Sequence, residues 1–168
     1  MTVAFWCKPI TGYGNGTGNG MFSLTNNDIG ESAGSDYQSA PLNHRDAGFD
    51  VNGVSGSTYT HKRLSVTFTA NEWHHYAITY DGRYAKLYKD GVQSTSVDMG
   101  ATMPLGDMKG IVVGFSKAGG AWRRVQAHYS DVRLYITCLS DSQVADLYNT
   151  AVSVANNGTL MGYELVEG

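Results

Sequence analysis

The chain is short of several things at once: it holds two cysteines, three prolines and four glutamates in 168 residues, and charged residues make up only 16% of it. Cys7 and Cys138 are too few, and too far apart in sequence, for the disulfide framework of a small secreted scaffold. Two buried thiols are expected, with a single bridge as the alternative. Neither cysteine belongs to a CxxC motif or has a histidine at ligand spacing, so zinc is not supported. Basic residues are scarce as well. Lys and Arg number 12 against 15 acids, for a formal net charge of −3, so no broad positive field draws the chain to a phosphate backbone, and nucleic acid is not an expected partner. The longest apolar runs are a handful of residues, and the amino terminus lacks the basic-then-apolar pattern of a signal peptide; membrane insertion is not expected.

What the chain has is glycine, 21 copies, and tyrosine, 11, with 42% hydrophobic residues. That composition suits many turns between half-buried pleated segments, and the length suits one domain, 1–168. Residues 2–8 alternate Val3, Phe5 and Cys7 with Ala4 and Trp6 before Pro9, as a strand does. Glycine at every second place from Gly12 to Gly20 marks a surface loop. A short strand at 21–24 follows, then an unassignable polar stretch at 25–47, then strands at 48–52, 58–61 and 64–69. The centre is clearer: strands at 73–80, 85–89 and 92–97 are joined by Asp81-Gly82 and Asp90-Gly91, a meander with two Asp-Gly turns. A buried strand is expected at 111–115, a glycine-bearing connection at 116–121 and a long strand at 125–136. One short helix starts at Ser140, which with Gln143 makes a capping box ahead of Val144, Leu147 and Tyr148. A turn at 156–158 and a closing strand at 159–166 end the chain. The fold class is all-β, an antiparallel jelly-roll sandwich with one short helix near the C-terminus.

Several segments carry a family likeness in order: TVAFWCKP at 2–9, WHHYAITYDG at 73–82, LYKDG at 87–91, VG at 113–114, SDVRLY at 130–135, and Leu139-Ser140 leading to Leu147-Tyr148. In these the chain resembles the laminin-G-like jelly rolls of the concanavalin A-like lectin/glucanase superfamily. The resemblance implies two curved antiparallel sheets face to face, a concave face and rim loops that bind glycans, and in some members calcium. The tail from Tyr148 to Glu164 is similar to versions in bacteriophage structural and tail proteins. This implies a virion or extracellular surface location, a glycan or host-surface polysaccharide as ligand, and neighbouring subunits of a larger assembly as partners. Members of the family carry a strand before the one at 2–9. From Met1 the chain is accordingly expected to be a piece of a longer protein, or to leave an edge that a neighbour completes.

Catalysis is not expected. Glycoside hydrolysis needs two carboxylates flanking the scissile bond, and Glu31, Glu72, Glu164 and Glu167 never form the Glu-x-Asp-x-Glu pattern that would align them on one strand face. Asp28 and Glu31 read as solvated loop acids. His74 and His75 are adjacent on a strand, point to opposite faces and cannot share an ion.

Sugar binding asks for an aromatic plane and for polar groups that reach hydroxyls. Trp122, Arg123 and Arg124 supply both, although Trp122 reads equally well as a core or edge aromatic. Strict alternation along 125–136 would put Tyr129, Asp131 and Arg133 on one polar face, opposite Val132, Leu134 and Ile136. Tyr13 and Asn15 are added from the glycine loop. Asp131 is the best seed for calcium, but where the family strand carries paired acids this chain has Ser130-Asp131, and a link from Asp131 to Arg133 is the favoured reading. The alternatives to a glycan-binding module are a purely structural decoration module and, third, a glycoside hydrolase.

Overall fold

A computed structural model describes residues 1–10, 22–25, 42–45, 48–55, 58–103, 105, 110–113, 115–118, 121–124 and 127–156. Twelve strands and one helix lie among them: β1 (Thr2–Pro9), β2 (Phe22–Thr25), β3 (Leu42–Arg45), β4 (Gly48–Ser55), β5 (Thr58–Ser65), β6 (His74–Tyr80), β7 (Tyr84–Lys89), β8 (Val92–Asp98), β9 (Gly110–Val113), β10 (Phe115–Ala118), β11 (Ala121–Arg124), β12 (Ala127–Tyr135) and α1 (Asp141–Asn156). The first sheet has the order β12-β1-β6-β7-β8 and the second β5-β4-β3-β2-β9, with β10 and β11 as a separate hairpin. Every pairing is antiparallel. This is the expected β-sandwich, with β1 held on both sides by β12 and β6.

The alternation read in residues 2–8 builds the interior. Val3, Phe5, Cys7, Tyr76, Ile78 and Leu87 from the first sheet meet Leu24, Leu42, Phe49, Val51 and Leu64 from the second, all fully buried. Phe49 sits edge-on to Phe5 at 6.1 Å and to Phe68 at 5.8 Å, while Phe68 and Tyr76 approach to 5.2 Å. Such pairs add about 1 kcal/mol each beyond the area they bury, so the centre of the sandwich is stiff.

The other face of the first sheet receives the helix. Ala4 and Ala77 present little more than methyl groups there, and Val144, Leu139 and Leu147 settle onto them beside Tyr88. The capping box forms: the Ser140 N–H donates to Gln143 Oε1 at 2.9 Å and the Gln143 N–H to Ser140 Oγ at 3.3 Å. The helix is longer than expected and runs to Asn156, the first residue of the turn read at 156–158; the rest of that turn and the closing strand at 159–166 lie outside the described residues. Its far part is fastened by Tyr148, stacked on Trp6 at 5.6 Å and close to His75 at 6.1 Å.

Both Asp-Gly turns are present. Asp90 (φ 53°) and Gly91 (φ 78°) form the two-residue connection between the paired Lys89 and Val92, with the positive φ at both centres that a type I′ turn requires. Gly91 is doubly constrained, because a side-chain carbon there would come within 3.1 Å of the Tyr148 ring.

Four expectations need correction. Residues 66–69 leave the sheet after β5, so the strand read at 64–69 is only the end of β5. Residues 116–121, read as a connection, lie mostly within the β10–β11 hairpin, whereas the long strand read at 125–136 is present as β12, with residues 125 and 126 outside the described residues. Both thiols are free, but only Cys7 is buried; Cys138 is exposed where the chain leaves β12 for the helix. The fourth concerns the face of β12. Cys7 pairs with Tyr129 and Trp6 with Ser130, yet Ala4 pairs with Arg133 and Val3 with Leu134, so two residues, Asp131 and Val132, stand opposite Phe5. Asp131 takes a left-handed φ of 50°. This bulge flips the parity of the strand. Tyr129 and Leu134 therefore both pack toward the interior, while Val132 and Ile136 are exposed, so the single polar face expected for Tyr129, Asp131 and Arg133 does not exist.

Candidate functional site

The register sorts the first sheet into two ends. Pro9, His74, the Asp90-Gly91 turn and Ala127 gather at one; Thr2, Tyr80, Tyr84, Asp98 and Tyr135 gather at the other. At the first end stands Trp73, one residue before β6 and 42% exposed. Tryptophan is usually well covered, so an indole left this open at a sheet edge is informative. Its ring lies 6.3 Å from that of His128, tilted by 38°. Ile10, 41% exposed, extends the apolar surface.

The ground beneath Trp73 is fixed by short-range bonds. Asn71 holds a left-handed φ of 63°, and its N–H donates to the Pro9 carbonyl at 2.6 Å. Asp90 binds the neighbouring histidines: one carboxylate oxygen lies 2.7 Å from His74 Nδ1 and the other accepts the His75 N–H at 3.0 Å. Glu72 approaches His74 Nε2 to 3.4 Å. His74 faces Tyr76 of the interior whereas His75 faces Trp6 and the helix, the opposite directions that adjacent strand residues must take. Only 3% exposed, His75 has its imidazole pushed down to about 4, because burial disfavours the charged ring more than Asp131 and Asp90 favour it.

The residues singled out from sequence divide into four groups. Trp122, Arg123 and Arg124 form β11, paired with Lys117, Ser116 and Phe115 of β10, and β10 adjoins β2 and β9. Arg124 precedes Ala127, at the first end, by three residues. Tyr13 and Asn15 lie outside the described residues. Tyr129 belongs to the interior: its hydroxyl lies against the Cys7 thiol, burial pushes its phenol up, and the thiol itself is pushed up to about 12. Arg133 stands opposite Ala4 on the helix-bearing face, and its Nε donates to Asp131 Oδ1 at 2.6 Å, the link favoured over calcium. Among the described residues no group of three or more His, Cys, Asp or Glu side chains is placed to hold a metal ion.

Sequence reasoning missed Trp73, His128 and one buried charge. Asp50 lies between Phe49 and Val51 on β4, hence on the face away from the core, yet it is fully buried. Arg63 Nε and Nη2 meet its two oxygens at 2.7 and 3.2 Å, and His61 Nε2 approaches to 3.2 Å. The pairing of β4 with β5 sets Asp50 directly opposite Arg63. An Asp and an Arg thirteen residues apart carry no local signal; only the hairpin register could have found them.

With the geometry in view, comparison with known proteins becomes specific. The family model Laminin_G_3, of the Concanavalin A-like lectin/glucanases superfamily, matches residues 1–145. The chain belongs to this family. No curated protein matches it in sequence. Among solved structures it is similar to the receptor binding domain of botulinum neurotoxin D, with a TM-score of 0.56 and 16% identity over 90% of this chain and 37% of that one. The binding domain of Paraclostridial Mosquitocidal Protein 1 gives 0.57 and 16%, over 89% of this chain and 37% of the other. The CBM40 of the Ruminococcus gnavus IT-sialidase, solved bound to alpha2,3 sialyllactose, gives 0.57 and 15%, over 88% and 81%. The chain thus spans a little over a third of the toxin domains' length and most of the CBM40. At these identities what is shared is the fold. No helix among the described residues is long and apolar enough to cross a membrane.

Proposed function

We propose that this domain is a non-catalytic glycan-binding module whose ligand contacts the Trp73 end of the first sheet. The observation that carries the proposal is the exposed indole of Trp73, tilted against His128 on a turn pinned by Asn71, at the rim of a lectin-type sandwich. An aromatic plane held rigidly at an edge stacks on the C–H face of a pyranose at little entropic cost, and nearby polar groups then choose among hydroxyl patterns. Glu72 is within reach on the same turn, and we assign Trp122, Arg123 and Arg124 of the β10–β11 hairpin to the same site because Arg124 precedes Ala127 of this end by three residues. We also assign Tyr13 and Asn15 to this site, because they follow Pro9, the last residue of β1, whose carbonyl accepts the Asn71 N–H. Asp131 and Arg133, on the helix-bearing face, are left out of it.

That the module binds rather than cleaves is supported by its having only four glutamates and by the similar solved structures, which are binding domains. We infer further that it is carried on a larger virion or cell-surface assembly, with neighbouring subunits as partners and a host-surface polysaccharide as the ligand. A glycan array probed with the native chain and with Trp73→Ala tests the central reading. The native chain should mark a set of related glycans, and Trp73→Ala should lose at least tenfold of that signal while keeping its circular dichroism spectrum. No binding by the native chain, or equal binding by the variant, would overturn it and leave the structural-module reading.

A further inference from the structure

The opposite end of the first sheet is built in a different way, and it is open. Asp81 closes the β6–β7 turn by accepting, at Oδ1, the N–H groups of Arg83 at 2.8 Å and Tyr84 at 2.6 Å. Tyr84 is 41% exposed, with the Arg83 guanidinium 5.0 Å from the centre of its ring. Arg83 is held in turn by Asp98 Oδ2, at 2.7 Å from Nη2 and 3.1 Å from Nε. The ring and the cation over it are therefore fixed before any ligand arrives.

A cleft lies on each side of this pair. One, of about 620 Å³, runs past Arg83 and Asp98 to Ser55 and Thr102. The other, of about 530 Å³, runs past Tyr84 and Lys86 to Asp141 and Gln143 at the start of the helix. Lys86 Nζ donates to Asp141 Oδ1 at 2.9 Å and the Tyr88 hydroxyl donates to the same oxygen at 2.7 Å, so the second cleft also has a braced wall. Hydroxyl, amide, carboxylate and cationic groups thus flank one aromatic ring, the mixture that recognises a polyhydroxy chain. The charges lean negative: Arg83 and Lys86 face Asp81, Asp98 and Asp141. An acidic ligand would meet repulsion here, and an uncharged one would not.

We propose that this end of the sheet is a second carbohydrate site, separate from the Trp73 rim, that takes a neutral oligosaccharide laid across Arg83 and Tyr84 with a sugar unit in each cleft. It makes the domain bivalent, with its two sites at opposite ends of the same strands. The proposal does not depend on the Trp73 site, and each stands or falls by its own variant.

Cys138 lines the cleft beside Tyr84 and is exposed, whereas Cys7 is fully buried, so the rate of alkylation by iodoacetamide reports on this cleft. The probes are cello-, malto- and manno-oligosaccharides, with sialyllactose and heparin fragments as acidic comparisons. At least one neutral series should slow Cys138 alkylation fivefold or more. The protection should vanish in Tyr84→Ala, survive in Tyr84→Phe and Trp73→Ala, and be absent with the acidic probes. The proposal is overturned if no neutral oligosaccharide slows the reaction, if protection persists in Tyr84→Ala, or if it is lost in Trp73→Ala instead; circular dichroism of each variant confirms that the sandwich is intact.

Discussion

The two ends of the first sheet are made from the same three strands and each carries an Asp-Gly turn, yet the turns are built differently: Asp90 and Gly91 both take a positive φ between the paired Lys89 and Val92, whereas at Asp81-Gly82 only the glycine does, in the longer connection between Tyr80 and Ala85. At the Trp73 end the turn at Asp90-Gly91 is wedged beneath Tyr148, the histidine next to it is buried under the helix, and Asp90 bonds both His74 and His75, so local order there combines packing with partly buried bonds. At the Tyr84 end nothing packs against Gly82, and the turn is ordered by the Arg83–Asp98 ion pair, by backbone N–H groups bonded to Asp81 and by the Tyr80 hydroxyl on the Gly82 carbonyl. An open aromatic is thus held either from below, by a packed layer with partly buried bonds, or from the side, by exposed charges. The first should be sensitive to acid and to added volume, the second to salt.

Acid separates the ends most. Because His75 is pushed down to about 4 from an ordinary 6.5, the unfolded chain takes up a proton that the folded one refuses as pH falls from 6.5 to 4. Stability should be lost across that window, by on the order of 3 kcal/mol at most, and His75→Gln should flatten the curve; urea midpoints against pH measure this. The Tyr84 end responds lower. Arg83 holds the Asp98 carboxyl, and Tyr88 with Lys86 holds the Asp141 carboxyl, below the usual range, so their stabilising bonds are present above that range and lost only as pH falls beneath it. A smaller contrast comes from two glycines with positive φ. Gly91→Ala must hold a left-handed φ and also push Tyr148 aside, for a loss of about 2 kcal/mol, whereas Gly100→Ala, at the Tyr84 end with open space around it, should cost about 1 kcal/mol. Thermal unfolding of both variants checks the order. Smallest of all, Trp73→Ala should change stability by under about 0.5 kcal/mol, since its indole supports no core. A drop several times larger would mean that Trp73 is a structural anchor and not a ligand surface.

The sandwich was legible because its strands obey simple alternation. Val3, Phe5 and Cys7 fill the interior as their spacing implies, both Asp-Gly pairs turn the chain, and Ser140 with Gln143 opens the helix. The site was less legible for a physical reason. The reading of β12 assumed an unbroken period of two, and a single inserted residue at Asp131 reverses the side on which everything before it lies; Tyr129 passed from an expected ligand contact to the core. No residue type announces that bulge. The exposure of Trp73 was invisible likewise, because a tryptophan at the start of an apolar strand has the same sequence signature whether it caps the core or faces solvent. Asp50 and Arg63 meet only through hairpin register.

The most direct test of the account uses the three tryptophans as reporters. Indole N–H resonances assigned by Trp6→Phe, Trp73→Phe and Trp122→Phe are followed by nuclear magnetic resonance while the best glycan from the array is titrated. The account predicts a saturating shift at Trp73 with Trp6, beneath the helix, unmoved. A shift at Trp6 without one at Trp73 would contradict it.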